Sequence, residues 1–246
     1  MHHALSPELL VPEWPAPVNV RALVTTRRGG VSRGAYGALN LASHVGDDPA
    51  LVAKNRALLG RELPGEPLWL NQVHGTAVVD AALNRGEPIA DAAVAREGGA
   101  VLAVLTADCL PVLLADSGGS VIGIAHAGWR GLAAGVVEAT VACMHVAPEA
   151  IVAWLGPAIG PAWYEVGHEV RQAFVASDPS AASAFHAAGE GKWYADLYSL
   201  ARLRLAKLGV GEVHGGGFCT FTDYERFFSF RRDGVTGRMA SLIWLA

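Results

Sequence analysis

The segment 100–128 constrains the fold most, because it holds two nearly continuous apolar runs separated by a short polar turn. The first run, AVLAVLTADCLPVLLAD, covers 100–116, and the second, SVIGIAHAG, covers 120–128. Apolar runs bounded by turn residues are typical of buried strands. The first run is interrupted near Asp108 and Pro111, and the second leads through a glycine turn into a helical pattern at 131–146. This segment therefore predicts strands in a buried sheet, followed by a tight turn and a helix.

Local signals predict further elements along the chain. A helix is expected at 49–59, with Asp48 as its N-cap, and another at 194–209, with Gly209 as its C-cap. The remaining expected elements are strands at 18–26, 67–75, 76–82, 151–161 and 239–245, and a helix at 165–176.

The mixture of strands and helices sets the expected fold class. No repeat of fixed period and no linker is present, so we expect one layered domain over 1–246. Its class is α+β (mixed α/β), with a mixed β-sheet core flanked by helices. Pro12, Pro15 and Pro17 predict an irregular N-terminal segment at 1–17.

Composition excludes several kinds of partner. Only 17% of the residues are charged, the formal net charge is −4, and no run of Lys or Arg marks a nucleic-acid surface. No apolar stretch reaches the roughly 20 residues that span a bilayer. The three cysteines are odd in number and widely spaced, and no secretory signal is present. We therefore expect a cytoplasmic monomer or homodimer that binds neither nucleic acid nor membrane.

Three side chains form a candidate metal site: His74, Cys109 and His126. Each lies at or near the end of a strand-like segment, and they are 35 and 17 residues apart. Structural zinc sites draw ligands from close pairs, whereas three separated ligands with an open fourth position are typical of catalytic zinc. Two other interpretations remain open at this point. The side chains could simply be buried and hydrogen-bonded, or Cys109 could be a nucleophile with His126 as its base.

Arginines in glycine-rich loops indicate an anionic group on the ligand. The chain has 16 Arg and 3 Lys, and a guanidinium matches phosphate and carboxylate geometry. Arg130 lies in HAGWRGL, where a strand, a glycine turn and a helix could bind a phosphate. The other loop arginines are Arg27 and Arg28 before GGVS, and Arg231, Arg232 and Arg238 around DGVTG.

Eight ordered motifs over nearly the whole length resemble one known family, the YfiH-like or laccase-domain proteins, also named multicopper polyphenol oxidases. The motifs are TTRRGGVS (25–32), LNLASHVGDDP (39–49), NQVHG (71–75), TADCLPVLLAD (106–116), HAGWRGL (126–132), WLGPAIGP (154–161), YEVGHEV (164–170) and FFSFRRDGVTGRMASLIWL (227–245).

The resemblance implies a zinc ion held by His74, Cys109 and His126. It also implies cleavage of adenosine, inosine and methylthioadenosine by phosphate, together with adenosine deamination. Relatives often carry two Cys residues where this chain has Ala162 and Trp163, so those thiols cannot be needed for zinc. A laccase needs several coppers and closely paired His residues, and this chain has nine His and no H-x-H pair. We expect any Cu²⁺ in the His/Cys/His site, and any polyphenol oxidation, to be adventitious.

These considerations assign expected roles. The catalytic residues are Cys109, His126, Asp108 as a proton carrier, and Arg27 as the first choice for phosphate. The substrate-binding residues are Asn40, Arg56, Asn71, Gln72 and Arg130. The alternative functions are a Cys/His or metal-assisted amide hydrolase acting on a cell-wall precursor, and a nucleoside-binding protein without catalysis.

Overall fold

Two large β-sheets packed face to face form the centre of the fold, in a computed structural model that describes residues 7–246. The first sheet has five strands in the order β1-β2-β14-β6-β3. Its strands are Leu9–Leu10 (β1), Val20–Thr25 (β2), Met239–Leu245 (β14), Val101–Thr106 (β6) and Pro67–Leu68 (β3). Only β3 pairs in parallel, with β6, so the sheet is mixed.

The second large sheet has six strands in the order β13-β9-β7-β8-β5-β4. Its strands are Glu212–Gly215 (β13), Ile151–Leu155 (β9), Leu110–Asp116 (β7), Ile122–Ala127 (β8), Ala92–Ala95 (β5) and Val78–Asp80 (β4). The two outermost pairs are parallel and the others are antiparallel. A small antiparallel sheet is formed by Glu165–Gly167 (β10), Lys192–Ala195 (β12) and Phe185–Gly189 (β11).

Helices cover the outer faces of the two large sheets. The α-helices are Pro49–Gly60 (α1), Trp129–Ala134 (α2), Val136–Met144 (α3), His168–Val175 (α4), Leu197–Leu208 (α5) and Phe230–Asp233 (α6). Helix α1 packs on the five-stranded sheet, and α2 to α5 lie on the side of the six-stranded sheet. The expected class, a layered α+β fold with a mixed β-sheet core flanked by helices, is confirmed.

The core lies in three apolar layers because successive strand residues point to opposite faces. Between the sheets, Val104 and Ile243 meet Leu113 and Ile124. The neighbouring Leu114 points the other way, into the layer beneath the helices. All of these side chains are almost completely buried, which explains why the strands of the sequence are continuous apolar runs.

The apolar run at 100–116 forms two strands in different sheets. Strand β6 belongs to the five-stranded sheet and β7 to the six-stranded sheet, and the chain reverses at Asp108, whose φ is 87°. The expected interruption near Asp108 is therefore present. The interruption does not extend to Pro111, because this residue lies within β7, opposite His126.

Other element boundaries also differ from the sequence expectations. The helix expected at 131–146 is two helices, α2 and α3, separated by Gly135 in the left-handed conformation with φ 102°. Of the strand expected at 67–75, only Pro67–Leu68 form a strand, and Asn71 makes an isolated bridge to Ile89. The helix expected at 165–176 begins with strand β10 before α4 starts at His168.

The N-terminal segment is partly ordered into the sheet. Within the expected irregular region 1–17, β1 pairs with β2, and residues 1–6 lie outside the described part of the chain. Among the helices of residues 7–246, none combines the length and the apolar character needed to cross a bilayer.

Candidate metal centre and its cavity

The three side chains chosen from the sequence as metal ligands come together in space. The ligand atoms of His74, Cys109 and His126 lie within 4.8 Å of one another. The Cys109 sulfur is 3.8 Å from Nε2 of His74, and the two imidazole rings meet edge to face. Within residues 7–246 this is the one group of three or more His, Cys, Asp or Glu side chains placed to hold a metal ion.

Each ligand comes from a different connection or strand end. Cys109 ends the reversal between β6 and β7, and His126 is near the end of β8. His74 lies in the long loop between β3 and β4 and has a φ of 60°. A positive φ is uncommon for a residue with a side chain, so the loop must be held in place by other contacts.

Asp91 supplies those contacts and was missed in the sequence. Its carboxylate, fully buried, accepts hydrogen bonds from the backbone N–H groups of Val73, His74 and Gly75 at 3.1, 2.9 and 2.7 Å. The same carboxylate lies 2.8 Å from Nδ1 of His126. One side chain therefore fixes two of the three ligands, and it orients His126 with Nε2 towards the ion.

Neighbouring charges shift the pKa values of Cys109 and His126 in opposite directions. Burial alone would raise the pKa of the Cys109 thiol, but the neighbouring imidazoles of His126 and His74 outweigh it and lower that pKa. Burial alone would lower the pKa of His126, but Cys109 and the Asp91 carboxylate outweigh it and raise that pKa. The thiolate is the form that binds metal, and His126 must release a proton when an ion binds.

Gly128 leaves the space that the ligands occupy. A Cβ atom at this position would lie 2.8 Å from Cδ2 of His74 and 3.0 Å from the Cys109 sulfur. Gly131, one turn into α2, similarly allows the helix to approach the carbonyl of Gly75. The glycines of HAGWRGL thus let α2 pack directly against the ligand cluster.

The ligands form one wall of a cavity of about 260 Å³. The residues lining it are His44, Gln72, His74, Leu105, Thr106, Ala107, Cys109, His126, Phe230 and Arg238. The cavity thus combines a candidate metal centre with one guanidinium, one further imidazole and one aromatic ring. Small-molecule sites commonly combine an apolar wall with a few polar groups in this way.

Comparison with known proteins places the chain in a family. The model of the family described as multi-copper polyphenol oxidoreductase laccase matches residues 21–246. The chain belongs to this family. The resemblance to YfiH-like, laccase-domain proteins is therefore confirmed.

Two bacterial relatives match the chain over almost its full length. A purine nucleoside phosphorylase of Pseudomonas aeruginosa is 54% identical over 237 residues, which cover 96% of this chain and 98% of that protein. The purine nucleoside phosphorylase YfiH of Escherichia coli is 53% identical over 244 residues, covering 97% and 99%.

Two solved structures share the fold. A protein of Neisseria meningitidis superimposes with a TM-score of 0.93 at 54% identity, covering 96% of this chain and 98% of that one. YlmD from Geobacillus stearothermophilus gives a TM-score of 0.88 at 32% identity, covering 94% and 93%.

Two arginines expected to bind phosphate lie away from the wall of the cavity. Arg27 donates to the carbonyls of Gly37 and Tyr224, and its guanidinium lies 4.8 Å from the ring of Phe228. The exposed Arg130 stacks over the neighbouring Trp129. Neither lines the cavity, whereas Arg238 does.

The carboxylate of Asp108, expected to carry protons, is engaged elsewhere. It accepts a hydrogen bond from the Thr220 hydroxyl at 2.6 Å and one from the Arg231 backbone N–H at 2.6 Å. Asp108 precedes Cys109 in the sequence and is buried, but it does not line the cavity. Its contacts are those of a residue that ties α6 to the β6–β7 turn.

Besides Arg130, four residues were expected to bind substrate, and two of them support the cavity. Gln72 lines it, and its amide forms two hydrogen bonds, 2.8 and 2.7 Å long, with the backbone of Leu105. The fully buried Asn40 accepts hydrogen bonds from the backbone N–H groups of Ala42 and Arg238. Asn40 therefore positions Arg238 rather than contacting the cavity itself.

The other two lie outside the cavity wall. Arg56 pairs with Glu87 at 2.7 Å and lies over the ring of Trp69, in a separate depression of about 680 Å³. Asn71 is exposed and makes an isolated bridge to Ile89. The sequence analysis assigned no role to two of the ring-bearing residues that line the cavity, His44 and Phe230. Both lie within recognised motifs but carry no distinctive spacing.

Proposed function

We propose that this chain is a zinc-dependent purine nucleoside phosphorylase acting on adenosine, inosine and methylthioadenosine. The observation that carries the proposal is the convergence of His74, Cys109 and His126 on a cavity that also holds the guanidinium of Arg238. A nucleoside and a phosphate ion are the small-molecule partners that such a cavity would have to bind. The names of the Pseudomonas and Escherichia relatives support this activity.

The donor set fits zinc. Zn–S bonds of about 2.3 Å and Zn–N bonds of about 2.0–2.1 Å in a tetrahedron place sulfur and nitrogen about 3.6 Å apart. The distance between the Cys109 sulfur and Nε2 of His74 is 3.8 Å. Three protein ligands leave a fourth position for a substrate oxygen, where zinc would act as a Lewis acid. Copper would also bind this set, which supports viewing copper-dependent oxidation as adventitious.

The remaining chemistry belongs to the side chains of the cavity. In phosphorolysis, a phosphate oxygen forms a bond to the anomeric carbon of the ribose while the bond from that carbon to the purine nitrogen breaks. The electron pair stays on the purine, which takes up a proton. His44 is the cavity imidazole outside the ligand set, and we assign to it proton transfer to the departing base.

Adenosine deamination is proposed as a secondary activity of the same site. It requires attack of a water-derived oxygen on C6 of the purine and a group that moves protons. The described residues that line the cavity include no carboxylate, since Asp108 bonds to Thr220 and Asp91 lies behind His126. Proton transfer would fall to His44, so we expect deamination to be slower than phosphorolysis.

One observation favours the amide-hydrolase alternative. Asp91 contacts His126, and the His126 imidazole lies beside Cys109, so carboxylate, imidazole and thiol follow one another as in a base-activated nucleophile. His74 argues against it, because a second imidazole beside the sulfur is a ligand for an ion and has no function in such a triad.

The three cysteines are free thiols, which supports the proposal of a cytoplasmic location.

The deciding experiment measures release of free base from adenosine and inosine, with and without phosphate, on protein of assayed zinc content. Cys109→Ala is compared with Cys143→Ala, a free cysteine outside the cavity. We expect phosphate-dependent release that is lost with the zinc in Cys109→Ala and kept in Cys143→Ala. No release from zinc-loaded wild-type protein would overturn the proposal and favour a search for amide substrates.

A further inference from the structure

An exposed aromatic ring lies at the cavity and has no structural task of its own. Phe230 is 57% exposed although it lines the cavity. Its neighbours in FFSF, Phe227 and Phe228, are fully buried in the apolar core. Leaving a large ring in water forgoes the free energy that burial would give. The exposed ring of Phe230 is therefore placed to contact a ligand in the cavity.

The backbone that carries this ring is firmly anchored. Phe230 begins α6, and the fully buried Ser229 caps the helix by accepting a hydrogen bond from the Arg232 backbone N–H. The carboxylate of Asp108 accepts the backbone N–H of Arg231, at 2.6 Å. The Arg232 guanidinium donates to the carbonyls of Thr220, Phe221 and Phe227. The ring thus projects from a fixed support next to the metal ligands.

Arg238 lies close to the ring and has donors to spare. One terminal nitrogen donates to the carbonyls of Thr236 and Gly237, and the guanidinium carbon is 5.8 Å from the ring centroid of Phe230. Within residues 7–246, Nε and the other terminal nitrogen of Arg238 make no hydrogen bond. The backbone of Arg238 is held by Asn40 at 3.0 Å. A guanidinium held in this way can bind an oxyanion through two parallel N–H groups.

We propose that Phe230 and Arg238 divide recognition of the two substrates between them. Phe230 stacks on the purine base, and Arg238 binds the phosphate that attacks the ribose. This inference rests on the proposed function and deepens it. Stacking uses the face that all purines share, so it fits a site that accepts adenine and hypoxanthine nucleosides alike. It also places the anion-binding role on Arg238 instead of Arg27 or Arg130.

Direct binding measurements on zinc-loaded protein test both parts, with free hypoxanthine and inorganic phosphate as separate calorimetric probes. Phe230→Ala is expected to weaken hypoxanthine binding about tenfold or more, and Phe230→Tyr to restore it. Arg238→Met is expected to weaken phosphate binding about tenfold, with partial recovery in Arg238→Lys, which keeps the charge but loses the planar fork. Each variant should leave the other probe's dissociation constant nearly unchanged.

Matched variants outside the cavity serve as controls. Tyr224→Ala removes an exposed aromatic ring from the same loop, and Arg61→Met removes an exposed cation, so both should bind like the wild type. Unchanged hypoxanthine binding in Phe230→Ala, or unchanged phosphate binding in Arg238→Met, overturns the corresponding assignment. Wild-type protein that binds neither probe overturns both. If both probes bind as expected but no nucleoside is cleaved, the phosphorylase proposal fails while the recognition surfaces stand.

Discussion

Oδ1 of Asp91 lies 2.8 Å from Nδ1 of His126, and the same carboxylate accepts the backbone N–H of His74. Two ligands from distant parts of the sequence therefore depend on one buried side chain. Burial alone would raise the pKa of Asp91, but its hydrogen bonds with His126 and with the N–H groups of Gly75 and Val73 outweigh this and lower it. The carboxylate remains charged, as its supporting role requires.

Asp91→Asn should weaken metal binding, although the asparagine side chain has nearly the same size and shape as aspartate. The amide keeps one acceptor oxygen but loses the charge that favours the orientation and basicity of His126, so we expect a loss of about 10- to 100-fold in zinc affinity. Competition with a chromophoric chelator measures the affinity. Asp80→Asn, which alters an ion pair with Arg96 away from the cavity, is the control. Equal zinc affinity in Asp91→Asn and wild type would contradict this role of Asp91.

Gly128→Ala should displace the ligands by steric contact alone. The added methyl group would meet His74 and Cys109 at distances that real Cβ atoms rarely show, so either the ligands or α2 must shift. We expect substoichiometric zinc and a lower melting temperature. Gly211→Ala adds the same methyl group where nothing lies within 4 Å and should behave like wild type. A Gly128→Ala protein with full zinc content and unchanged stability would show that the packing around this glycine is looser than described.

Metal removal should expose the reactivity of Cys109. A thiol bound to zinc resists alkylation, whereas the metal-free thiol has a lowered pKa and should react readily with iodoacetamide. The measurement is best made by mass spectrometry in a Cys143→Ala, Cys219→Ala background, which leaves one cysteine in the chain. We expect slow labelling before chelator treatment and fast labelling after it. Equal rates in zinc-assayed protein would rule out Cys109 as a ligand.

The pKa of His44 should report the charge of Arg238. Burial lowers the pKa of this imidazole below its ordinary value, and the positive charge of Arg238 lowers it further. Arg238→Met removes a cation that disfavours the imidazolium, so the pKa of His44 should rise. Glu87→Gln removes an anion that raises it and should move the pKa in the opposite direction. Titration of the His44 ring nitrogens by NMR measures both pKa shifts. Shifts in the same direction in the two variants would contradict the opposite effects of Arg238 and Glu87 on His44.

The sequence predicted best those features that depend on local signals. Helices α1 and α5 have the expected Asp48 and Gly209 caps, because a cap is a contact within one turn. The ligand trio was recognised from motifs, and its members do converge. The break of the helix at Gly135 was missed because isolated glycines are also tolerated within helices.

Features that depend on distant contacts could not be predicted. Asp91 lies in the plain segment IADAAV, and nothing local distinguishes it from a surface carboxylate. Arg27, Arg130 and Arg238 are all arginines in glycine-rich loops, and only the folded chain separates the one at the cavity from the others. The positions of β6 and β7 in different sheets were also hidden, because both strands are equally apolar.

The cavity is built by connections that join the two large sheets. Three of the connections that cross from one large sheet to the other contribute to its wall: the β3–β4 loop with His74, the β6–β7 turn with Cys109, and the β13–β14 segment with Phe230 and Arg238. Sliding of one sheet over the other would pull these connections apart. A metal ion and substrate bound among them would resist that shear, so occupancy of this small site would stiffen the two-sheet sandwich.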